Sequence, residues 1–470
     1  MARAELMSAA DAVWLHMDDP TNLMFVAGVF FFDRPLDVAR LKTTLEVRLL
    51  RFKRFRQRVV AGPALSNPRW EEDPHFDINA HVHRLALAAP GDQAALQKMI
   101  SLLISSPLDR SKPLWQMHIL ENYQGDGCAL LVRIHHAIAD GIALVYVMMS
   151  LMDEGPDAPW PTPQAETARR QRGWNPLDIL LRPATVAWQT TQRLTTQAVA
   201  QGYDMLMQPT KALELAQSAG AFVSTVRHML SLGSDTPTVL KGQLGMPKKA
   251  AWSAPLDLTE VKEVGRIIGA TVNDVLLTLF AGALRRYLAG RGEPVDQIEI
   301  RLMVPVTLRP LEKAANLGNN FGTLTLPLPI READPVERLR LLKEQMDALK
   351  QSPEALITFA AMATVGYTPA QLASKIIEIF NRSASAIMTN VPGPRQPVYI
   401  AGQVVKGIMI WGPLGGRIGL GASIFSYNGE VTLGIFGDAG LVPDPETIVA
   451  GFVTEFAELK RLVGEPQTAA

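Results

Sequence analysis

The stretch RIHHAIADG, Arg133 to Gly141, holds two adjacent histidines, His135 and His136, with Asp140 and Gly141 close behind them. The chain has only eight histidines, and apolar sequence flanks this pair on both sides. An unperturbed imidazole titrates near ~6.5, so the neutral ring can accept a proton at physiological pH. Metal binding is the competing chemistry. Neighbouring side chains of an extended segment point to opposite faces, so His135 and His136 do not easily share one ion. His136 with Asp140 still lacks a third ligand, and His81 and His83 of HFDINAHVHR share a face on another segment. No metal site is expected.

A nucleophile is equally hard to find. The sequence has no Gly-x-Ser-x-Gly elbow. Cys128 precedes His136 by eight residues on the same extended run, which is roughly 26 Å at ~3.3 Å per residue. A covalent acyl-enzyme therefore lacks its parts. What remains is a histidine acting directly on a substrate proton, with Asp140 fixing the loop and Gly141 leaving backbone room for a substrate.

These residues need elements to hold them. PLWQMHILENY, then GDG, then CALLVRIHH reads as two strands around a tight turn, with Gly125, Asp126 and Gly127 supplying the turn chemistry. GIALVYVMMSLMDE has the length and apolar spacing of a buried helix, which puts the histidines on a strand-to-helix loop. Upstream, FVAGVFFF (Phe25–Phe32) has the length of a buried strand, and Asp37 caps a helical pattern through Leu50. Glu154–Gly173, rich in proline and charge, reads as an exposed linker. Pro183–Leu232 has little charge and looks like one or two helices that pack together or lie on lipid. Beyond Lys248 a second mixed region holds a long helix capped by Thr271, the strand IEIRLMVPV, a hairpin turning at Asn428–Gly429, and a closing amphipathic helix. No internal repeat is visible.

Composition narrows the function classes. Lys and Arg balance Asp and Glu at 46 each, so no global field steers the chain to nucleic acid. Apolar residues reach 47%, yet no run approaches the ~18–20 residues that span a bilayer. The N-terminus lacks a signal-peptide core, and one cysteine excludes an internal disulfide framework. The expectation is an intracellular globular protein with an unusually apolar interior or a membrane-facing surface.

His135-His136-x-x-x-Asp140-Gly141 resembles the signature of the coenzyme-A-dependent acyltransferase superfamily, which includes chloramphenicol acetyltransferase and condensation domains. Nearly end to end, the chain is similar to one branch, the bacterial wax ester synthase/diacylglycerol acyltransferases. The resemblance rests on SAADAVWLHMDDPTNLM, RFKRFRQRV, PRWEEDPHFDINAHVHR, PLDRSKPLWQMHILE, GATVNDVLL, GALRRYL, VPVTLRP, LGNNFG, NVPGP and SYNGEVTLGIFGD, in the family's order.

The resemblance implies an α/β fold of two chloramphenicol-acetyltransferase-like subdomains, residues 1–153 and 236–470. A helical linker, 154–235, and one crossover would join them, with a tunnel at their interface. It implies a fatty acyl-CoA donor and a diacylglycerol or long-chain alcohol acceptor, with no cofactor beyond that co-substrate. Triacylglycerol or wax ester would form peripherally at a membrane or lipid-droplet surface. His136 would be the general base and His135 an orienting residue. Asp140 would form an ion pair with Arg56, or with Arg309 behind it. Asn273 would supply an amide to the oxyanion while Thr271 and Asp274 cap their helix. Trp115 of PLW would wall the lipid channel or serve the core, and NVPGP would fix a strand exit. Two other readings are a condensation-type enzyme acting on another alcohol or an amine, and a non-catalytic lipid-binding relative.

Overall fold

The computed structural model describes residues 4–62, 68–171, 175–176, 179, 233–307, 315, 317–319, 321–350 and 383–464. The helices expected in Pro183–Leu232 and the alternative arginine Arg309 lie outside the described residues.

In the first half, β1 (Glu5–Leu6) leads into helix α1 (Ala9–Met17), capped by the Ser8 hydroxyl, which accepts from the Asp11 N–H. The apolar run Phe25–Phe32 forms β2, and Asp37 caps α2 (Val38–Thr44), which runs on into a π-turn at Leu45–Leu49. Two short strands, β3 (Gln57–Val60) and β4 (Arg69–Glu72), join β1 in a small sheet of order β1-β4-β3. β5 (Val82–Ala86) and α3 (Gln93–Ile104) follow. β6 (Trp115–Tyr123) and β7 (Gly127–His135) then pair antiparallel, and α4 (Gly141–Leu151) closes the unit.

Every residue of β7 is buried. It lies between β2 and β6 in a five-stranded sheet with both faces covered, which is why its sequence is almost continuously apolar. The carboxyl end of this central strand delivers His135 and His136 into the interior rather than to the surface.

The segment expected to be an exposed linker contains α5 (Pro163–Gln171), and one face of it is docked. The Glu166 carboxylate accepts from Arg48 Nε at 2.6 Å, and Arg48 Nη2 meets Asp153 at 2.9 Å, all three side chains being buried. Arg169 lies beside the same two carboxylates at 3.7 and 3.6 Å. The segment is otherwise largely exposed, as expected, and Glu166 is the charge that turns inward to an internal ion cluster.

In the second half, β8 (Lys248–Trp252), β9 (Leu256–Asp257) and α6 (Leu258–Ile268) precede α7 (Val272–Ala289). Thr271 and Asp274 form a reciprocal capping box at the start of α7, as the sequence suggests. Strands β10 (Ile300–Thr307) and β11 (Phe321–Leu328) pair antiparallel, and α8 (Pro335–Lys350) follows them. Next come β12 (Ala386–Pro392), a small pair β13 (Tyr399–Ile400) and β14 (Gln403–Val404), and β15 (Gly407–Trp411). The hairpin β16 (Leu420–Tyr427) and β17 (Glu430–Asp438) turns at Asn428–Gly429, both with positive φ. The chain's last described helix is α9 (Pro445–Gly464).

β15 does not join the seven-stranded sheet of its own half. It pairs antiparallel with β2, so the first sheet has the order β15-β2-β7-β6-β5 and carries one strand from the second half. The second sheet runs β11-β10-β12-β16-β17-β8, with β9 beside β17. This single crossover, and the connection from β10 back to β11, bring second-half residues to the histidine loop.

Replacing Arg48 with alanine would leave the buried carboxylates Asp153 and Glu166 with only the longer contacts to Arg169. We expect Arg48→Ala to cost about 3–5 kcal/mol of unfolding free energy, read by urea denaturation. A variant as stable as the native chain would show that the cluster does not hold α5.

Candidate active site

His135 ends β7, and the next five residues form the loop into α4. The two rings diverge, as alternation along an extended segment requires.

The His136 ring packs face to face on Trp14, centroids 3.9 Å apart and planes 23° from parallel. Its backbone N–H donates to Met24 O at 2.8 Å, which fixes the start of the loop. Its Nδ1 lies 2.8 Å from Asn319 Oδ1. The Asn319 amide is oriented without ambiguity, because its Nδ2 donates to the Asp11 carboxylate and to the His136 carbonyl, each at 2.9 Å. Its oxygen therefore faces the ring, Nδ1 carries the proton, and the ring lone pair sits on Nε2. Burial is the largest influence on this imidazole and lowers its pKa, and His135 beside it acts in the same direction. The carbonyls of Asn319 and of His136 itself pull the other way, and the balance settles at about 4. The ring is neutral across the physiological range and can accept a proton at Nε2.

His135 faces a different partner. Its Nδ1 accepts the Ala137 N–H at 3.1 Å, which places its proton on Nε2, 3.6 Å from Asp18 Oδ2. Asp18 also takes Arg110 Nη2 at 2.7 Å and the Met24 N–H at 2.8 Å. Burial pushes the Asp18 carboxyl up, but His135, Arg110 and the Met24 amide outweigh it and bring it down to about 2. His135 thus anchors the loop to the end of α1.

Asp140 caps α4, its Oδ1 accepting the Ala143 N–H at 3.0 Å, and its own N–H donates to Gly318 O at 3.1 Å. The expected ion pair with Arg56 is not formed. Arg56 follows a single 3-10 turn and precedes β3, so its side chain leaves toward β4, where it meets Glu72 at 3.4 Å with both groups partly exposed. Arg54, two residues earlier, is the arginine of that run that reaches the site: its Nη1 lies 3.3 Å from Asp11 Oδ2. At Gly141, which is exposed, no described atom lies within 4 Å of the position a Cβ would take, so the helix start borders open space.

Two further expectations are corrected or refined. Trp115 is fully buried, stacks on His81 at 4.4 Å and donates its Nε1–H to Phe55 O at 2.9 Å. With every face packed, it is a core residue and has no surface for substrate. Asn273, half-buried in the first turn of α7, accepts from Asn390 Nδ2 at 2.7 Å, so the TVND and NVPGP motifs meet. A cavity of about 580 Å³ lies elsewhere, at the β5 edge between Lys42, His83, Arg84 and His118, and neither His135 nor His136 lines it.

Sequence reasoning gave no role to Asp11, Trp14, Asp18 or Asn319. The first three recur at i, i+3 and i+7 along α1 and its C-cap, the spacing of one helix face. That face lies against the histidine loop. Asn319 lies in the LGNNFG motif of the resemblance, but nothing local linked it to His136, since only the second-half fold brings the two together.

Two α/β units meet where a buried, neutral histidine follows a central strand, and burial pushes the nearby Cys128 thiol up to about 11. The model of the wax ester synthase/diacylglycerol acyltransferase catalytic domain matches residues 7–276, and that of the family's C-terminal domain matches 317–460. The chain belongs to this family and is an acyltransferase. A Mycobacterium tuberculosis protein named as a diacylglycerol O-acyltransferase is 29% identical, covering 97% of this chain and 90% of its own length. The wax ester synthase/diacylglycerol acyltransferase from Marinobacter aquaeolei VT8 shares the fold at a TM-score of 0.70 and 22% identity, with 98% of this chain and 100% of that one covered. The first condensation domain of the calcium-dependent antibiotic synthetase shares it at 0.60 and 14% identity, with 99% and 98% covered. Among the described residues no single helix is long and apolar enough to cross a membrane.

Asp18 makes a pH-dependent prediction. Its folded pKa lies below the unfolded value, so its stabilisation is present above about pH 4 and is lost as pH falls toward about 2. At pH 7 Asp18→Asn should cost about 2–3 kcal/mol, and the gap from the native chain should close between about pH 4 and about pH 2. A gap that stays constant over that range, measured by urea denaturation, would contradict the assignment.

Proposed function

We propose that the protein transfers a fatty acyl group from acyl-CoA directly to the hydroxyl of diacylglycerol or a long-chain alcohol. The observation that carries this reading is the contact of His136 Nδ1 with the Asn319 carbonyl at 2.8 Å in a buried setting, which assigns the proton to Nδ1 and the lone pair to Nε2 of a neutral ring. His136 Nε2 takes the acceptor hydroxyl proton as the oxygen attacks the thioester carbonyl. The new C–O bond forms, the tetrahedral intermediate collapses with loss of the C–S bond, and the proton passes to the departing thiolate. Ester and free CoA leave, and no group of the chain is acylated.

Asn273 is the proposed oxyanion donor. The hydrogen bond from Asn390 to its Oδ1 supports this, because it turns the Asn273 Nδ2 donors away from that partner. We assign no cofactor beyond the acyl-CoA co-substrate. The substrates would meet in a channel between the two units, one entering from each side, and the open space at Gly141 supports an approach there. The names of the mycobacterial relatives favour diacylglycerol as acceptor, whereas the Marinobacter protein is named a wax ester synthase as well. Apolar burial favours long chains by ~0.8 kcal/mol per methylene until the channel fills. A peripheral position on a membrane or lipid droplet fits such substrates, and the exposed Leu102 and Met246 offer apolar contacts for it.

General-base catalysis contributes ~10²–10⁴-fold, so His136→Ala should lose turnover on that scale while its unfolding midpoint stays near the native value. Release of CoA thiol is the readout, and near-native release would remove His136 from the mechanism. In the native protein the acid limb of kcat/KM should fall near pH 4, where the free enzyme's base titrates. A limb near ~6.5, the ordinary imidazole value, would contradict the buried neutral ring. One acyl-CoA offered diacylglycerol, hexadecanol and hexadecylamine together tests the acceptor class; amide as the main product would favour a condensation-type enzyme.

A further inference from the structure

We propose that Asn319 is the positioning residue of the base: from the second half of the chain it sets the ring tautomer of His136, and Asp11 with Arg54 holds it there. This rests on the reading of His136 as general base, and it concerns what makes that base competent.

Asn319 turns its side-chain amide and its backbone N–H to the site. Its Oδ1 takes the His136 Nδ1–H, its Nδ2 serves both the Asp11 carboxylate and the His136 carbonyl, and its backbone N–H donates to Asp11 Oδ1 at 3.1 Å. Asp11 Oδ1 and the His136 carbonyl oxygen can only accept, so the amide cannot turn over without losing both bonds. The opposite His136 tautomer would set its Nδ1 lone pair against the Asn319 oxygen at 2.8 Å, two acceptors with no proton between them.

Asp11 is in turn fixed. It is buried, its carboxylate meets Arg54 at 3.3 Å, and the Arg54 guanidinium lies 4.4 Å over the Trp70 ring. The chain beside Asn319 is pinned as well. Gly318 adopts φ +111°, a conformation that side chains disfavour, and its carbonyl accepts the Asp140 N–H at 3.1 Å. An isolated bridge pairs Ala139 with Gly318 in parallel. Residues from three segments, 11, 54 and 318–319, thus converge on the loop, adding to the pull of the His136 carbonyl on its own ring. The base is complete only when the returning strand connection of the second half is docked on the first.

The nearby titratable and charged groups are His135 in sequence, Asp11 and Arg54 behind Asn319, Asp140 at the start of α4, and Asp18 with Arg110 beyond His135. Asn319 offers the ring Nδ1 a neutral carbonyl, and its bond, a stronger influence than that of the His136 carbonyl, raises the affinity of the ring for a proton.

The test begins with the full-length native protein labelled with nitrogen-15 in its histidine rings. The His136 signal, assigned by its loss in His136→Ala, should show the proton on Nδ1 at neutral pH. A ring protonated on Nε2 overturns the proposal, whatever any variant does. In Asn319→Ala, kcat should fall roughly 10²-fold, within the range of general-base effects, with the acyl-CoA KM changed by less than about threefold. The acid limb should move to lower pH because a carbonyl that favours the charged ring is gone. A merely structural role would lower activity through unfolding, leaving tautomer and limb unmoved in the folded fraction, and that result also overturns the proposal. If Asn319→Ala does not fold, the native tautomer still decides. The base assignment fails separately, through near-native turnover of His136→Ala.

Discussion

A buried imidazole has to be told which nitrogen to protonate, and in this protein the hydrogen bond from His136 Nδ1 to Asn319 Oδ1 is the strongest voice in that choice. Water would leave both tautomers accessible. Inside the fold the choice falls to the few polar groups within reach, and a wrong choice would point the lone pair at a carbonyl. The surrounding structure reads as support for this bond. Trp14 fixes the plane of the ring, Met24 fixes the backbone before it, and Asp11 with Arg54 fixes the amide that meets it.

Burial cuts two ways at this site. It lowers the proton affinity of His136, which keeps the ring neutral and able to act as a base at physiological pH, but it also weakens that base. Two carbonyls restore part of the lost affinity without adding a formal charge. A carboxylate in direct contact would have raised it further, and the chain instead holds Asp11 one residue away, behind Asn319. His135 makes the contrast plain. It sits directly beside Asp18, an arrangement suited to anchoring a loop, while the uncharged contact is reserved for its neighbour.

The crossover strand gives the two-unit design its cohesion. β15 adds to the first sheet at β2, the strand paired with β7, so the strand that ends in His135 is two places from one contributed by the other half. The β10–β11 connection supplies Gly318 and Asn319 on the same interface. The site is thus assembled from both halves, with His136 from the first meeting Asn319 from the second.

What the sequence determined was local and repetitive. Strong apolar runs fixed β2, β6, β7 and α4, turn residues fixed the β16–β17 hairpin, and Thr271 with Asp274 fixed the start of α7, because each depends only on neighbours along the chain. The histidine motif was legible for the same reason, with its glycine opening on space and its aspartate at a helix start. Tertiary structure alone decided the pairings. Arg54 and not Arg56 turned inward, because a 3-10 turn and a following strand send them to different faces. Trp115 went to the core, where Phe55 and His81 enclose it, and Glu166 drew a charged segment inward to Arg48. Asn319 became the partner of a residue 183 positions away. No periodicity records such contacts, since they are set by where strands cross and not by the residues on either side.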